Sequence, residues 1–361
     1  MTSRERLRRC FFHEPLDRPG VFCRTGFPAD DPSYEPLRRL LAQRSELKRP
    51  WSATSLVEPL PVESHTRPHS PDFDLLIDTL KTPGADLVRH RMVSRTGQPG
   101  MTVKPYLSSR GDARAYLSLP VPRVGGTADR FFDLDREVGD RGTVDVSVGF
   151  NPAGHAAELL GSENFAFLSV TDRDVLHAVC QRHRDITLAL VDHLIEQGVG
   201  PYFSTLGQEY VAPPMHGPED FFDFNVRYDQ PIIERIHEAG GRVHVHCHGS
   251  IRTVFDGFLQ MGADVLHPFE APPMGDITPA KAKALARGRI CLEGNIQIAD
   301  MYEKSPGEIA EQTRALIDTC FDDQRGLIVC PSASPWIPGA GARCLEQFRA
   351  MIQTVQSGVP S

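Results

Sequence analysis

The chain has 361 residues, 40% of them hydrophobic and 24% charged, with a formal net charge of −8. That length suits one large α/β barrel with ample chain for a core, and the lack of any Lys/Arg run argues against a nucleic-acid partner. Eight cysteines without CxxC spacing, a charged start with no apolar leader, and no apolar run near ~18 residues lead us to expect a cytoplasmic protein with reduced thiols and no membrane span.

In chain order, residues 1–18 read as a short amphipathic helix and PGVFCRTG (19–26) as a strand with polar residues at its far end. Residues 27–142 are rich in Pro, Gly and Arg, with hairpins expected over 76–107. TVDVSVGF (143–150) is a strand. From 170 the pattern is regular. Apolar positions such as Val175, Leu176, Val179, Leu190 and Val191 predict a helix over 173–197, stopped by Gly198. A strand at 200–207 precedes a helix from Pro218 to His237, with a kink expected at Pro231. Then follow a strand at 241–249, a helix at 250–261, a strand at 264–270, a helix at 278–287 and a strand at 289–295. Ser305 and Glu308 form a capping-box pattern for a helix running to about Cys320. A strand at 326–330 and a helix at 343–356 complete the chain. Alternation of this kind implies parallel βαβ units. The expectation is one domain, a distorted (β/α)8 TIM barrel, with an irregular N-terminal part (1–142) and regular units over 143–361. Its active site would lie at the C-terminal strand ends.

The most unusual stretch is VHVHCHG, 243–249. Strand alternation puts Val243, Val245 and Cys247 on one face and His244, His246 and His248 on the other. The apolar set should meet the outer helices, and the histidines should face inward with His248 nearest the mouth. A single barrel histidine is most often a hydrogen-bonded structural residue, and His244, the deepest, takes that reading. His246 and His248, two apart, suit a common metal, with Cys330 as a thiolate and Glu209 or Glu270 as an oxygen donor. Proton transfer is the other use of such a cluster. Glu209 lies on a strand-end loop, where a glutamate is often only solvated. In HPFE, His267 and Glu270 fall on opposite faces unless the strand ends early, and Glu270 is the favoured one. Glu293 and Asn295 share a face and are assigned to substrate contact or to capping of loops.

The order and spacing of several segments resemble the uroporphyrinogen decarboxylase superfamily. These are RERLRRCFFHEPLDRPGVF (4–22), GQEYVAPPMHGPEDF (207–221), HCHG (246–249), GADVLHPFE (262–270) and RICLEGNI followed by SPGEI (289–309). The likeness spans nearly the whole chain and implies the barrel, a pocket at its C-terminal mouth, and one of two chemistries. One is cofactor-free decarboxylation of a tetrapyrrole's acetate arms. The other is zinc-dependent methyl transfer between a corrinoid and a thiol, or a related demethylation.

The sequence departs from both patterns. Decarboxylases of the superfamily carry an arginine-rich segment after the first strand. Here FCRTGFPADD (22–31) keeps Arg24 alone, and VCPSASPW (329–336) lacks their late histidine. The methyltransferases carry a His-x-Cys pair and a distant Cys as zinc ligands. Here His246 and His248 take the paired positions, and Cys330 lies three residues early. The resemblance therefore implies zinc or another divalent metal on His246, His248 and Cys330, with Glu209, Glu270 and His248 as the reacting groups. Arg24, Glu293 and Asn295 would bind substrate. The favoured reading is metal-dependent methyl transfer, with a corrinoid as methyl donor on a partner protein. A decarboxylase-like enzyme and a non-catalytic accessory barrel are the alternatives. Expected partners are a small-molecule substrate, a corrinoid protein and a second copy of the chain as a homodimer.

Overall fold

A computed structural model describes residues 1–24, 28, 30–97, 99–286 and 288–357. Twelve strands are present among them: β1 Gly20–Val21, β2 Leu47–Ser52, β3 Val62–Pro68, β4 Phe73–Lys81, β5 Asp86–Ser94, β6 Met101–Lys104, β7 Gly142–Phe150, β8 Tyr202–Leu206, β9 Arg242–His246, β10 Val265–His267, β11 Cys291–Ile296 and β12 Leu327–Pro331. Eight form a curled sheet in the order β1-β12-β11-β10-β9-β8-β7-β2, every pair parallel. Spatial order thus follows chain order, as expected when each strand returns through a helix. The ends of this order, β1 and β2, are linked where Glu46 N donates to Val21 O at 3.0 Å and Val21 N donates to Glu46 Oε2 at 2.7 Å. Pro50 sits in β2, which among the described residues pairs only with β7; an edge strand tolerates its missing N–H.

Alternation sorts the β9 side chains as expected. Val243, Val245 and Cys247 join the main apolar core with Ile233, Ile236, Phe255 and Phe258 of the neighbouring helices. Each large side chain fully buried there contributes on the order of 1.5–3 kcal/mol. His244 and His246 face the other way, toward residues of β10 and β11. Helix Ser3–Phe11 places Leu7, Cys10 and Phe11 against Val265, Cys291 and Ile328, plugging the N-terminal strand ends. Strands β3 to β6 form a separate antiparallel sheet, which includes the expected hairpins. Its buried Asp78 is held by Arg89, Arg91 and Ser64.

Several boundaries differ from expectation. The strand placed at 19–26 is regular only at Gly20–Val21, and Thr25 and Gly26 lie outside the described residues. The strand expected at 264–270 stops at His267, because Pro268 has no N–H to continue a ladder. The helix after β9 starts at Phe255, not 250. Ahead of Pro231, Phe221–Val226 forms a wider π-helical turn. Pro231 itself lies inside helix Arg227–Glu238, where it removes one bond to the preceding turn. Helices Glu35–Arg44, Arg110–Leu117, Asp129–Val138 and Pro152–Thr171 and strand β2 were not anticipated. Among the described residues no helix is long and apolar enough to cross a membrane.

Candidate functional site

The C-terminal ends of β8 to β12 and the segment after β1 bring the singled-out residues to one region. At its centre the rings of His246 and His267 stack with centroids 5.1 Å apart and planes at 18°. His267 Nε2 lies 3.2 Å from Pro331 O, which only accepts, so that nitrogen carries the proton. His246 Nδ1 and His267 Nδ1 are 2.9 Å apart. With His267 neutral, His246 must donate there, which leaves His246 Nε2 as a lone-pair nitrogen. Arg24 closes the chain, with a guanidinium nitrogen 3.1 and 3.2 Å from the two nitrogens of the His246 ring. Burial first, then the charge of Arg24, drives the His246 pKa far below the usual imidazole range. Burial does the same to His267, only partly opposed by Glu293. Both rings therefore stay neutral at physiological pH.

His248 stands perpendicular to His246, with centroids 4.7 Å apart. Its Nδ1 is 3.1 Å from Glu270 Oε2, and the same oxygen accepts from Gly249 N at 3.1 Å. Because β10 ends at His267, His267 and Glu270 both reach the site, which removes the conflict read from strand alternation. Asn295 Nδ2 donates to Phe269 O at 3.1 Å, so it braces the loop that carries Glu270.

Glu209 lies on the 3-10 turn Gln208–Val211 that follows β8. Burial raises its carboxyl pKa, against the pull of its own backbone N–H, His248 and Arg24. Its Oε2 is buried without a hydrogen-bond partner among the described residues. A lattice of buried side chains that sequence reasoning missed fixes this turn. Asn225 Nδ2 donates to Gln208 O and Val211 O, both at 3.1 Å. Asn225 Oδ1 therefore accepts, from Asn151 Nδ2 at 2.7 Å. Asp229 accepts from Asn151 and from Gln208 Nε2 at 2.8 Å. Burial pushes its carboxyl up to about 7, against the pull of Gln208 and Asn151.

Below the mouth, Lys48 Nζ bonds Glu293 Oε2 at 2.6 Å, with both side chains almost fully enclosed. Burial alone would raise the Glu293 pKa, but Lys48 and then His244 hold it well below the carboxylate range. Glu293, expected to touch substrate, is thus engaged by a lysine. Cys330 Sγ lies 3.8 Å from His267 Nε2, and burial, then Glu293, raises its thiol pKa. Among the described residues, His267, Glu293 and Cys330 offer ligand atoms within 4.8 Å of one another, all buried. The structure thus brings His246, His248, Glu270, Glu209 and Arg24 together at the mouth, whereas Cys330 and Glu293 lie with His267 in an inner layer.

The profile of the family described as "Uroporphyrinogen decarboxylase (URO-D)" matches residues 134–357. The chain belongs to this family. Among solved structures, this URO-D member is similar to a methyltransferase from Methanosarcina mazei, at 14% identity, with both chains fully covered and a TM-score of 0.66. At that identity the likeness concerns the fold alone. Similarity is weaker to a D-psicose 3-epimerase from Clostridium cellulolyticum H10, at 12% identity over 64% of this chain and 83% of that one, TM-score 0.39. It is weaker also to the 3-keto-D-glucoside 4-epimerase YcjR from E. coli, at 9% over 63% and 85%, TM-score 0.38. Among curated proteins no sequence match was found.

Proposed function

We propose that this URO-D family member is a cytoplasmic enzyme whose sheet closes as a distorted (β/α)8 barrel and whose mouth carries out metal-dependent methyl transfer or demethylation linked to a corrinoid. The observation that supports this most is the buried, unpartnered Glu209 Oε2 near the His248–Glu270 pair. An orphaned carboxylate oxygen is costly, and a divalent cation of the zinc class would satisfy it. Two imidazoles and two carboxylates match the donor chemistry of such an ion. His246, His248, Glu270 and Glu209 would hold it, with Cys330 one layer deeper. When bound, the ion would supply Lewis acidity that lowers the pKa of a thiol acceptor.

The chain's own residues do the rest. Glu270 accepts from His248 Nδ1, which fixes the tautomer and leaves Nε2 as the lone-pair nitrogen. Glu209, holding the ion through one carboxylate oxygen, would have the other free to take the acceptor's proton. Arg24 orients an anionic group of the acceptor. The methyl donor is a corrinoid on a partner protein, and the chain acts as a single domain, as a homodimer. The test is to incubate the zinc-loaded protein with methylcobalamin and a panel of small thiols while following the corrinoid spectrum. Demethylation should be seen, and should be lost in H248A and E209Q. No demethylation with any thiol would count against this reading.

A second reading is favoured by Arg24, whose guanidinium meets His246 at 3.1 Å. A fixed cation at the mouth suits a substrate carboxylate. In a cofactor-free decarboxylation, Arg24 would hold that group while His248 or Glu270 delivers a proton to the carbon left behind. Activity that survives chelation would select this reading.

A further inference from the structure

The inner layer contains an imidazole that the reaction at the mouth does not use. His244 is almost fully buried, and both of its ring nitrogens lack a hydrogen-bond partner among the described residues. Its Nε2 lies 3.6 Å from Glu293 Oε1, and its ring stacks toward that of His267 with centroids 6.1 Å apart. A buried imidazole with two unmet nitrogens is costly, and it adjoins the group formed by His267, Glu293 and Cys330.

We propose that His244, His267, Glu293 and Cys330 form a second metal site, closed and structural, for a divalent ion of the zinc class. Two imidazoles, one carboxylate and one thiolate are four donors of the types that zinc takes in tetrahedral sites. Every donor is buried, so no coordination position is left open for a substrate, unlike the mouth.

The competitor for this site is Lys48. Its ammonium occupies Glu293 Oε2 at 2.6 Å, so metal and ammonium exclude one another at that oxygen. With the ion bound, the ammonium would have to swing away from Glu293. Lys48 also lines a cavity of about 400 Å³ between β1 and β2, with Phe22, Cys23, Ser45 and Arg49. As the ion binds, the Cys330 thiol gives up its proton to solvent. The His267 proton shifts from Nε2 to Nδ1, which frees Nε2 and makes Nδ1 the donor to His246 Nδ1; His246 then carries its own proton on Nε2, so with the inner ion bound the mouth ion would rest on His248, Glu270 and Glu209. The ion's two positive charges meet one thiolate and one carboxylate, so Lys48 is no longer needed as counter-ion.

Cobalt(II) titration of the full-length protein tests the inference, because a thiolate on cobalt gives an intense near-ultraviolet charge-transfer band and the mouth set contains no thiol. We expect that band in the wild type, its loss in C330S, and its persistence in H246A/H248A. The variant K48M should bind cobalt more tightly, by roughly tenfold or more, since a neighbouring unit charge is removed. It also keeps the test decisive should C330S fail to fold. No charge-transfer band in either wild type or K48M would overturn the proposal. A band lost in H246A/H248A would assign the metal to the mouth and equally overturn the second site. Failure here leaves the mouth reading standing, because weak, thiolate-free cobalt bands would still report metal there.

Discussion

Removing Lys48 should expose how much of the fold depends on an enclosed charge pair. At 2.6 Å and an effective dielectric of ~20, the attraction between Lys48 and Glu293 is ~6 kcal/mol. Desolvation of two nearly enclosed ions offsets most of it, so the pair adds little net stability over an apolar pair. Removing one partner is different, because Glu293 keeps its charge without a counter-ion. K48M in metal-free buffer should therefore lose ~3–5 kcal/mol, a fall in Tm of roughly 4–7 °C for a chain of this length. The double variant K48M/E293L should recover most of that loss. Calorimetry on the wild type, both single variants and the double variant reads the coupling directly. A K48M shift under about 2 °C, or strictly additive single effects, would refute the reasoning. The sign with pH also follows. The folded Glu293 pKa is depressed, so its contribution is present above the unfolded value and lost as pH falls through the folded one.

Acid should destabilise the protein early. His246 and His267 are held neutral, their pKa values lowered chiefly by burial, and His183 is lowered to about 4. The unfolded chain binds more protons below about 6.5, so stability should fall from there downward, by up to about 1.4 kcal/mol per pH unit for each such histidine. Denaturation curves from pH 7.5 to 4.5 check this, and a flat profile would contradict it. D229N should disturb the Glu209 turn, since an amide group would face the donors of Asn151 and Gln208. The expected loss is ~1–3 kcal/mol, with metal affinity reduced alongside; unchanged Tm and metal affinity would show that the lattice does not position Glu209. All eight cysteines are buried and free, so a thiol reagent should modify almost none in the native protein and eight after denaturation. Rapid native modification would contradict the packing.

The regular half of the fold was legible because its strands carry apolar alternation bounded by glycines, and the helix at Pro306–Cys320 announced itself through the Ser305–Glu308 capping box. Strand β2 was not legible. LKRPWS looks like a loop, and Lys48 makes sense inside only beside Glu293, 245 positions away. Helix Pro152–Thr171 carried a readable start, Asn151 as cap with Pro152 behind it, but Gly161 at φ 72° breaks its periodicity. The histidine face of β9 was read correctly from alternation. Pro268 held the clue that His267 joins it, because a proline there ends the ladder and frees both His267 and Glu270 to turn inward. The Asn151–Asn225–Asp229 lattice had no signal, since its partners lie 74 and 78 positions apart and share no spacing. Cys330 was picked out, but its neighbour is His267 rather than the mouth pair, a matter of depth that strand alternation does not encode.

The most direct test of the central claim is the metal content of protein purified without chelator or metal-affinity resin, measured for the wild type and for H246A/H248A after matched zinc loading and desalting. The account predicts about one zinc per chain more in the wild type than in the double variant, which keeps only what the inner layer holds. Wild-type protein that holds no zinc or cobalt at the mouth after loading, or a double variant with undiminished metal, would contradict it.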